Sequence, residues 1–304
     1  MGTKRLDARD FLVSRRAKVT PQQAGLTHYG ANRRVPGLRR EEVALLAGIS
    51  VDYYTRLEKG NLAGVSDTVL EGVARALCLD EAERAHLLDL VRASNAAPPQ
   101  SPRRPPPQVR VSVRLILDGM TDTPAFVRNG RLDMLATNSL GRALYSPVFE
   151  SPGEIPNLAR FRFLDPRASA FYPDWEGSAE TTVALLRTEV GRNPCDRSLT
   201  ALIGELSMRS DDFRVRWAAH NVRLHRTGLK CFCHPAVGTL ELMFEAMELS
   251  ADEGLTLTAF TAEPDSPSWD ALRLLASWSV SVASQDRAPA PGEAGLTPMR
   301  IRTD

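Results

Sequence analysis

The feature that most restricts the fold of this chain is a proline-rich segment in its first half. Six of the ten residues from 98 to 107 are proline. Because proline lacks a backbone N–H and fixes φ, it ends helices and is excluded from the middle of sheets. The segment is therefore predicted to be a stiff, extended linker. A chain of 304 residues has room for two domains, which we expect at 1–97 and 108–283, with a disordered tail at 284–304.

Composition narrows the class of protein. Hydrophobic residues make up 43% and charged residues 25% of the chain, which excludes fibrous and wholly disordered classes. No apolar run reaches the roughly 18 residues of a membrane span, and the first residues lack the apolar core of a signal peptide. Four cysteines are too few for a disulfide framework, which agrees with a reducing compartment. We therefore expect a cytoplasmic protein with no membrane partner.

The charge of the chain is unevenly distributed. The whole chain has a net charge of +1, but residues 1–60 contain 12 basic and 6 acidic side chains, a net charge of +6. Residues 61–97 contain 3 basic and 6 acidic side chains, a net charge of −3. A local excess of positive charge marks the place where a polyanion would bind.

Residues 1–97 are predicted to form an all-α domain of about five helices. Their apolar residues recur at spacings of three and four, and no stretch shows two-residue alternation. The predicted helices cover residues 5–17, 40–47, 51–59, 66–77 and 80–93.

Residues 108–283 combine helical and strand patterns, which predicts an α+β domain with an antiparallel sheet of about five strands. Asn129-Gly130 lies between two strand-like runs and predicts a two-residue hairpin turn, because both residues tolerate positive φ. Helices are expected at residues 138–146, 174–191, 196–208, 211–220 and 267–282. Strands are expected at residues 126–129, 131–136, 221–227, 229–234, 239–249 and 255–262.

A helix-turn-helix pattern lies at residues 39–60. Gly48 can end the first helix in a left-handed conformation, and Ser50 is a good N-cap for the second. In this motif the exposed start of the second helix enters the major groove, and the start of the first contacts phosphate. The spacing also fits a corner of a larger helical bundle, but the charge of +6 and the basic loop before the motif favour DNA. The predicted DNA-binding residues are Arg33, Arg34, Arg39, Arg40, Ser50, Val51, Asp52, Tyr53, Thr55 and Arg56.

Two stretches of this region, RRVPGLRREEVA at 33–44 and YYTRLE at 53–58, resemble the MmyB-like bacterial transcription regulators. The resemblance continues at 123–127, 216–220 and 234–238. It implies a C-terminal ligand-binding domain with a PAS-like fold that holds a fatty acid. It also implies a phosphate contact at Arg40, a groove-facing set on the second helix and a structural role for Glu58.

The predicted helix at 211–220 suggests how an acid would be bound. Arg216 and His220 lie one helical turn apart, beside Phe213 and Trp217, so one face combines a cation, an imidazole and apolar rings. Such a face can hold a carboxylate at one end and an apolar chain at the other, although an ordinary amphipathic helix has the same spacing. The predicted ligand-binding residues are Phe126, Tyr172, Trp175, Phe213, Arg216, Trp217 and His220.

No other pattern indicates a catalytic or metal site. Cys231 and Cys233 would share one face of a strand while His234 points to the other, a poor arrangement for a tetrahedral metal ion. The sequence contains no nucleophile elbow, Walker loop or H-E-x-x-H motif, so we expect no catalytic residue, no metal and no cofactor apart from a bound fatty acid. A DNA-tethered enzyme and a cysteine-based redox sensor stay open as alternatives.

The expected partners follow from these patterns. They are a double-stranded DNA operator, a small amphipathic acid and a second copy of the chain. The second copy is expected because a single helix-turn-helix reads too few base pairs for operator specificity.

Overall fold

The computed structural model describes residues 2–26, 35–95, 108–151, 155–219 and 227–285. The linker at 98–107 and nearly all of the tail lie outside these ranges, so the domain limits stay predictions. Three predicted site residues also lie outside the described residues: Arg33, Arg34 and His220. None of the described helices is long and apolar enough to cross a membrane.

The first unit consists of five helices packed around one apolar core, as the sequence predicts. The helices are α1 (Gly2–Lys18), α2 (Arg40–Ala47), α3 (Val51–Glu58), α4 (Asp67–Ala76) and α5 (Glu81–Asn95).

The turn between α2 and α3 forms through the residues that predicted it. Gly48 has a φ of 69° and ends α2, because it carries no Cβ to oppose the left-handed conformation. The N–H of Ile49 then donates to the carbonyl oxygen of Ala44 at 3.0 Å. At the start of α3 the hydroxyl of Ser50 accepts from the backbone N–H of Tyr53 at 3.1 Å, which satisfies one of the free donors of the helix.

The second unit contains a five-stranded antiparallel sheet with helices on both faces, which confirms the α+β prediction. The strand order is β2-β1-β5-β4-β3. The strands are β1 (Ala125–Asn129), β2 (Met134–Thr137), β3 (Thr227–His234), β4 (Gly238–Glu248) and β5 (Leu255–Thr261). The helices are α6 (Val111–Gly119), α7 (Ser139–Leu144), α8 (Ser146–Phe149), α9 (Leu158–Leu164), α10 (Ala168–Phe171), α11 (Trp175–Arg192), α12 (Arg197–Arg209), α13 (Asp211–Ala218) and α14 (Pro267–Gln285).

The two faces of the sheet are covered differently. On the inner face, aromatic side chains such as Phe126, Phe232 and Phe260 pack with residues of α7, α10 and α14. On the outer face, α6 packs Val113 and Leu117 against β1 and β5. Since side chains alternate along a strand, each strand contributes to both faces. The outward side chains of β4 remain exposed in the described part of the chain.

The predicted hairpin forms between β1 and β2, but the predicted two-residue turn at Asn129-Gly130 is wrong. β1 ends at Asn129 and β2 begins only at Met134, and the positive φ falls on Leu132, at 67°. The Asn129 side chain donates to the carboxylate of Asp133 at 2.8 Å and accepts from the backbone N–H of Asp133 at 3.0 Å. This side-chain network holds a wider loop in place of the two-residue turn.

Other differences from the prediction concern short elements. The helices α6, α8, α9 and α10 were not predicted, because four to nine residues show too few repeats to establish a helical period. β3 passes through Gly228 without the break expected there. Residues 221–226 of the predicted strand lie outside the described residues.

The end of α11 packs closely against α5 of the first unit. A Cβ atom added to Gly191 would lie 2.9 Å from Nδ1 of His86, so only glycine fits without movement of the ring. Arg192 lies 3.5 Å from the carboxylate of Asp89. The first and second units are therefore in direct contact at this helix end.

Candidate functional site

The seam between α2 and α3 is buried and the start of α3 is exposed. Val43 and Ala44 of α2 pack with Tyr54 and Leu57 of α3, each at most 1% exposed. Burial raises the pKa of the Tyr54 hydroxyl. This packing turns the first residues of α3 outward, as a groove-reading helix requires.

The predicted groove-facing residues differ in exposure. Val51, Asp52 and Arg56 are exposed, whereas Tyr53 and Thr55 are half-buried. The guanidinium carbon of Arg56 lies 4.5 Å from the centre of the Tyr53 ring, a cation–π contact that orients the arginine.

Behind this surface, the buried carboxylate of Glu58 binds two arginines. Glu58 is only 2% exposed; it accepts from Nε of Arg16 at 2.5 Å and from Nε of Arg40. Arg40 is held at the start of α2 with its side chain 53% exposed, so it can reach a phosphate while paired. Arg39 lies beside it, 3.6 Å from Glu41. Sequence reasoning missed Arg16, which lies on α1, far from the motif.

Among the described residues of the predicted ligand face on α13, none lines either of the two main cavities of the second unit. Phe213 is fully buried and packs on Phe163 with ring centres 5.1 Å apart, while its ring stacks on Trp217. Arg216 donates to the carboxylate of Asp212 at 2.7 Å and lies over the ring of Trp175. These contacts are those of an amphipathic helix packed on its neighbours.

A different cavity lies between the inner face of the sheet and the helices α9 and α11. It has a volume of about 240 Å³. Phe126, Phe244 and Phe260 supply apolar lining, and Asp174 and Thr182 of the α11 segment supply polar lining. Of the predicted ligand residues, Phe126 lines this cavity.

Two further predicted residues lie next to the cavity. The ring of Tyr172 lies 3.4 Å from the guanidinium carbon of Arg162, and the indole N–H of Trp175 donates to the backbone oxygen of Arg162 at 3.1 Å. Both therefore position a cation that lines the cavity, instead of lining it themselves.

Three basic side chains line this cavity: Arg128 of β1, Arg162 of α9 and Lys230 of β3. Arg162 is 4% exposed, and its Nε and Nη1 atoms have no hydrogen-bond partner among the described residues. The amine of Lys230 lies 3.5 Å from the Tyr145 hydroxyl and 5.3 Å from the centre of the Tyr172 ring. No carboxylate of the described chain lies within ion-pair distance of any of the three.

The cavity perturbs the protonation of these groups. Burial lowers the pKa of Arg128 to about 10 and also lowers the pKa of Arg162. Burial lowers the pKa of Lys230 well below its usual range, and repulsion from the two arginines lowers it further. An anion placed among them would relieve this repulsion. The arrangement is therefore suited to binding the acidic group of a ligand.

The inward orientation of two of these basic side chains could have been predicted from the sequence. Arg128 lies two residues after Phe126 and Lys230 two residues before Phe232, and both phenylalanines are in the core of the sheet's inner face. Because side chains two apart on a strand share a face, both cations had to point inward.

The cysteines offer little support for a redox site. All four cysteines are free, and Cys231 is half-buried while Cys233 is exposed. Burial raises the pKa of the Cys231 thiol, which lowers its thiolate fraction and hence its reactivity. Among the described residues, no group of three metal-binding side chains occurs.

Comparison with known proteins assigns both units. Residues 14–87 match a helix-turn-helix domain, and residues 109–275 match the MmyB-like transcription regulator ligand binding domain. A search of curated proteins finds no match. The second match covers more than half of the chain, so this chain belongs to the MmyB-like family and is a DNA-binding transcription regulator with a ligand-sensing domain.

Proposed function

We propose that this chain is a homodimeric, sequence-specific regulator that binds an operator through α2 and α3 and senses an amphipathic acid, such as a fatty acid, in a PAS-like second domain. The observation that carries the ligand assignment is the buried guanidinium of Arg162, whose Nε and Nη1 atoms have no hydrogen-bond partner among the described residues, in a cavity that Arg128 and Lys230 also line. An acid supplies the missing charge, and the phenylalanines of the cavity provide contacts for its apolar chain.

For DNA binding, the exposed start of α3 supplies base contacts and the start of α2 supplies phosphate contacts. We assign base reading to Val51, Asp52 and Arg56, and phosphate binding to Arg39 and Arg40. Arg56 is a side chain of the type that forms paired hydrogen bonds with guanine. Two copies would bind half-sites about 34 Å apart, or at multiples of that distance.

Selection of binding sites from random duplexes, followed by titrations at several salt concentrations, tests the DNA assignment. Arg40→Ala should weaken binding to all sequences alike and flatten the log–log salt dependence by about one unit, because one phosphate contact is lost. Arg56→Ala should instead reduce the preference for the selected site. The control is Arg84→Ala, at a half-exposed arginine paired with Glu71. If neither Arg40→Ala nor Arg56→Ala changed DNA binding relative to this control, the assignment would be wrong.

Calorimetric titration of the full chain with straight-chain acids of increasing length, and with the matching alcohols, tests the ligand assignment. Arg162→Met keeps most of the side-chain volume but removes the cation. The loss of a charged hydrogen bond, about 1.5–3 kcal/mol, should weaken acid binding by about 10- to 100-fold. Binding of the alcohols, which have no carboxylate, should change little.

Arg216→Met is the matched control for that experiment, because it tests the residue that helical spacing singles out. We expect it to bind acids as the parent does, since Arg216 is already paired with Asp212. Loss of acid binding in Arg216→Met with parent-like binding in Arg162→Met would overturn our choice of cavity. If no acid bound the parent, the sensor assignment itself would fail.

Regulation requires that the acid bind the DNA-competent and DNA-incompetent states unequally. Operator affinity measured with and without saturating acid should therefore differ in the parent. In Arg162→Met that difference should appear only at higher acid concentration.

A further inference from the structure

An exposed apolar surface runs from α6 onto the outer face of the sheet. Val111 and Leu115, on one side of α6, are 73% and 66% exposed, and Met243 and Met247 on β4 are 45% and 42% exposed. We call these four residues, with Arg114, Glu241 and Glu245, the outer surface. Large apolar groups at this exposure mark an interaction site when they are contiguous.

The register of the sheet places the exposed row of β4 on the same face as α6. Met247 of β4 pairs with Leu257 of β5, and Leu257 belongs to the cluster that α6 covers with Val113 and Leu117. Because paired residues of neighbouring strands point to the same face, the exposed row of β4 lies on the face of the sheet that α6 covers. The exposed flank of α6 and this row therefore belong to the same side of the sheet.

The outer surface carries opposite charges on its two halves. Arg114 is exposed on α6, and Glu241 and Glu245 alternate with the methionines on β4. Within the described ranges, none of these three side chains has an ion-pair partner. On this face, α6 thus bears a cation between apolar residues, and β4 bears carboxylates between apolar residues.

We propose that the outer surface binds a second copy of this chain, so that α6 of each copy packs on β4 of the other. A two-fold axis between the copies places α6 of the first copy on β4 of the second and α6 of the second copy on β4 of the first. A self-complementary surface allows this arrangement. Leu115 and Val111 would cover Met243 and Met247 of the other copy, and Arg114 would lie beside Glu245. This inference rests on the homodimer of the proposed function and adds the surface that forms it.

The position of α6 in the chain suits this role. It begins at Val111, four residues after the proline-rich segment that follows the DNA-binding unit. A dimer formed here would bring the two DNA-binding units together and would set the spacing of the half-sites.

Sedimentation of the full chain over a range of concentrations, free and on operator DNA, tests the proposal. Leu115→Glu and Met243→Glu each place a carboxylate in the apolar part of the outer surface, and each should raise the dissociation constant of the dimer at least tenfold, the size expected of a central contact. Met208→Glu is the matched control, because Met208 is 82% exposed on α12, away from the sheet. It should dimerise as the parent does, and circular dichroism should show a parent-like fold for all three variants.

Charge reversal tests the arrangement within the dimer. Arg114→Glu and Glu245→Arg should each weaken dimerisation, and the double variant should restore it, because the pair is then re-formed with the charges exchanged. If the double variant were as weak as the singles, the packing of α6 against β4 would be wrong.

The outcomes separate this proposal from the proposed function. If the parent dimerised and Leu115→Glu and Met243→Glu dimerised equally well, the surface would be wrong and the homodimer would stand. If the parent were a monomer both free and on its operator, both would be overturned, and the outer surface would belong to a different partner protein.

Discussion

Replacement of Glu58 by glutamine should destabilise the DNA-binding unit selectively. Glu58 is 2% exposed and binds Arg16 and Arg40 with its two oxygens. A hydrogen bond to a charged group contributes about 1.5–3 kcal/mol, and a buried cation left without its partner costs more than the bond itself. The side chain of Arg16 is only 17% exposed, so water replaces little of what it loses.

The contribution of Arg40 is smaller, because its side chain is 53% exposed and regains water. Together these losses suggest a decrease of about 3 kcal/mol in the free energy of unfolding. For a unit of this size, with an m value of roughly 1–1.5 kcal/mol per molar urea, the unfolding midpoint should fall by about 2 M.

The chain allows the two units to be followed separately. All four tryptophans, at positions 175, 217, 269 and 278, lie after the linker, so tryptophan fluorescence follows the second unit. Circular dichroism at 222 nm follows the helices of both units. In Glu58→Gln we expect an early loss of part of the dichroism signal and a parent-like fluorescence transition.

Glu41→Gln is the matched control, because Glu41 is 65% exposed and lies 3.6 Å from Arg39. It should change stability by less than about 1 kcal/mol. Equal urea midpoints for Glu58→Gln and Glu41→Gln would refute the reasoning that the buried carboxylate holds α1, α2 and α3 together.

Two further predictions concern packing and charge. Gly72→Ala should lower the free energy of unfolding of the first unit by about 1–3 kcal/mol in urea titrations, because the new Cβ would lie 2.6 Å from the backbone oxygen of Ala47. The control is Gly204→Ala, which should be neutral or stabilising because its Cβ would have no neighbour within 4 Å. Lys230→Met should raise the melting temperature of the ligand-free second unit at pH 7, since burial lowers the pKa of Lys230 and the unfolded state binds more protons. The stability of the parent should rise towards pH 10, so the difference should shrink there. A difference that grew with pH would contradict this account.

The helix-turn-helix was predictable because its signals are local. Gly48 ends one helix and Ser50 begins the next within three residues, and each acts through backbone groups of its immediate neighbours. The role of Glu58 as a partner of Arg16 was not predictable in this way, because 42 residues separate them. Only tertiary packing brings that pair together.

The cavity proposed to bind the ligand shows that helical spacing alone does not identify a ligand-binding face. Spacing correctly placed Phe213 and Trp217 on one stripe of α13, but it does not say what the stripe faces. The partner of Arg216, Asp212, lies one turn earlier on the same helix and was visible in the sequence. The cations that line the cavity come from β1, α9 and β3, and only the topology of the sheet brings them together.

The close contact at Gly191 has a mechanical consequence. The first half of α11 lines the cavity proposed to bind the ligand, and its last turn packs on His86 of α5. A helix of 18 residues spans about 27 Å, so a rotation of about 5° about its first turn displaces its last turn by about 2 Å. Because position 191 carries no side chain, the last turn of α11 lies directly against the ring of His86, and such a displacement would press on α5. A small rotation of α11 at the cavity would therefore become a larger displacement at its contact with α5. The missing side chain at position 191 leaves no gap between the two helices that could absorb this displacement.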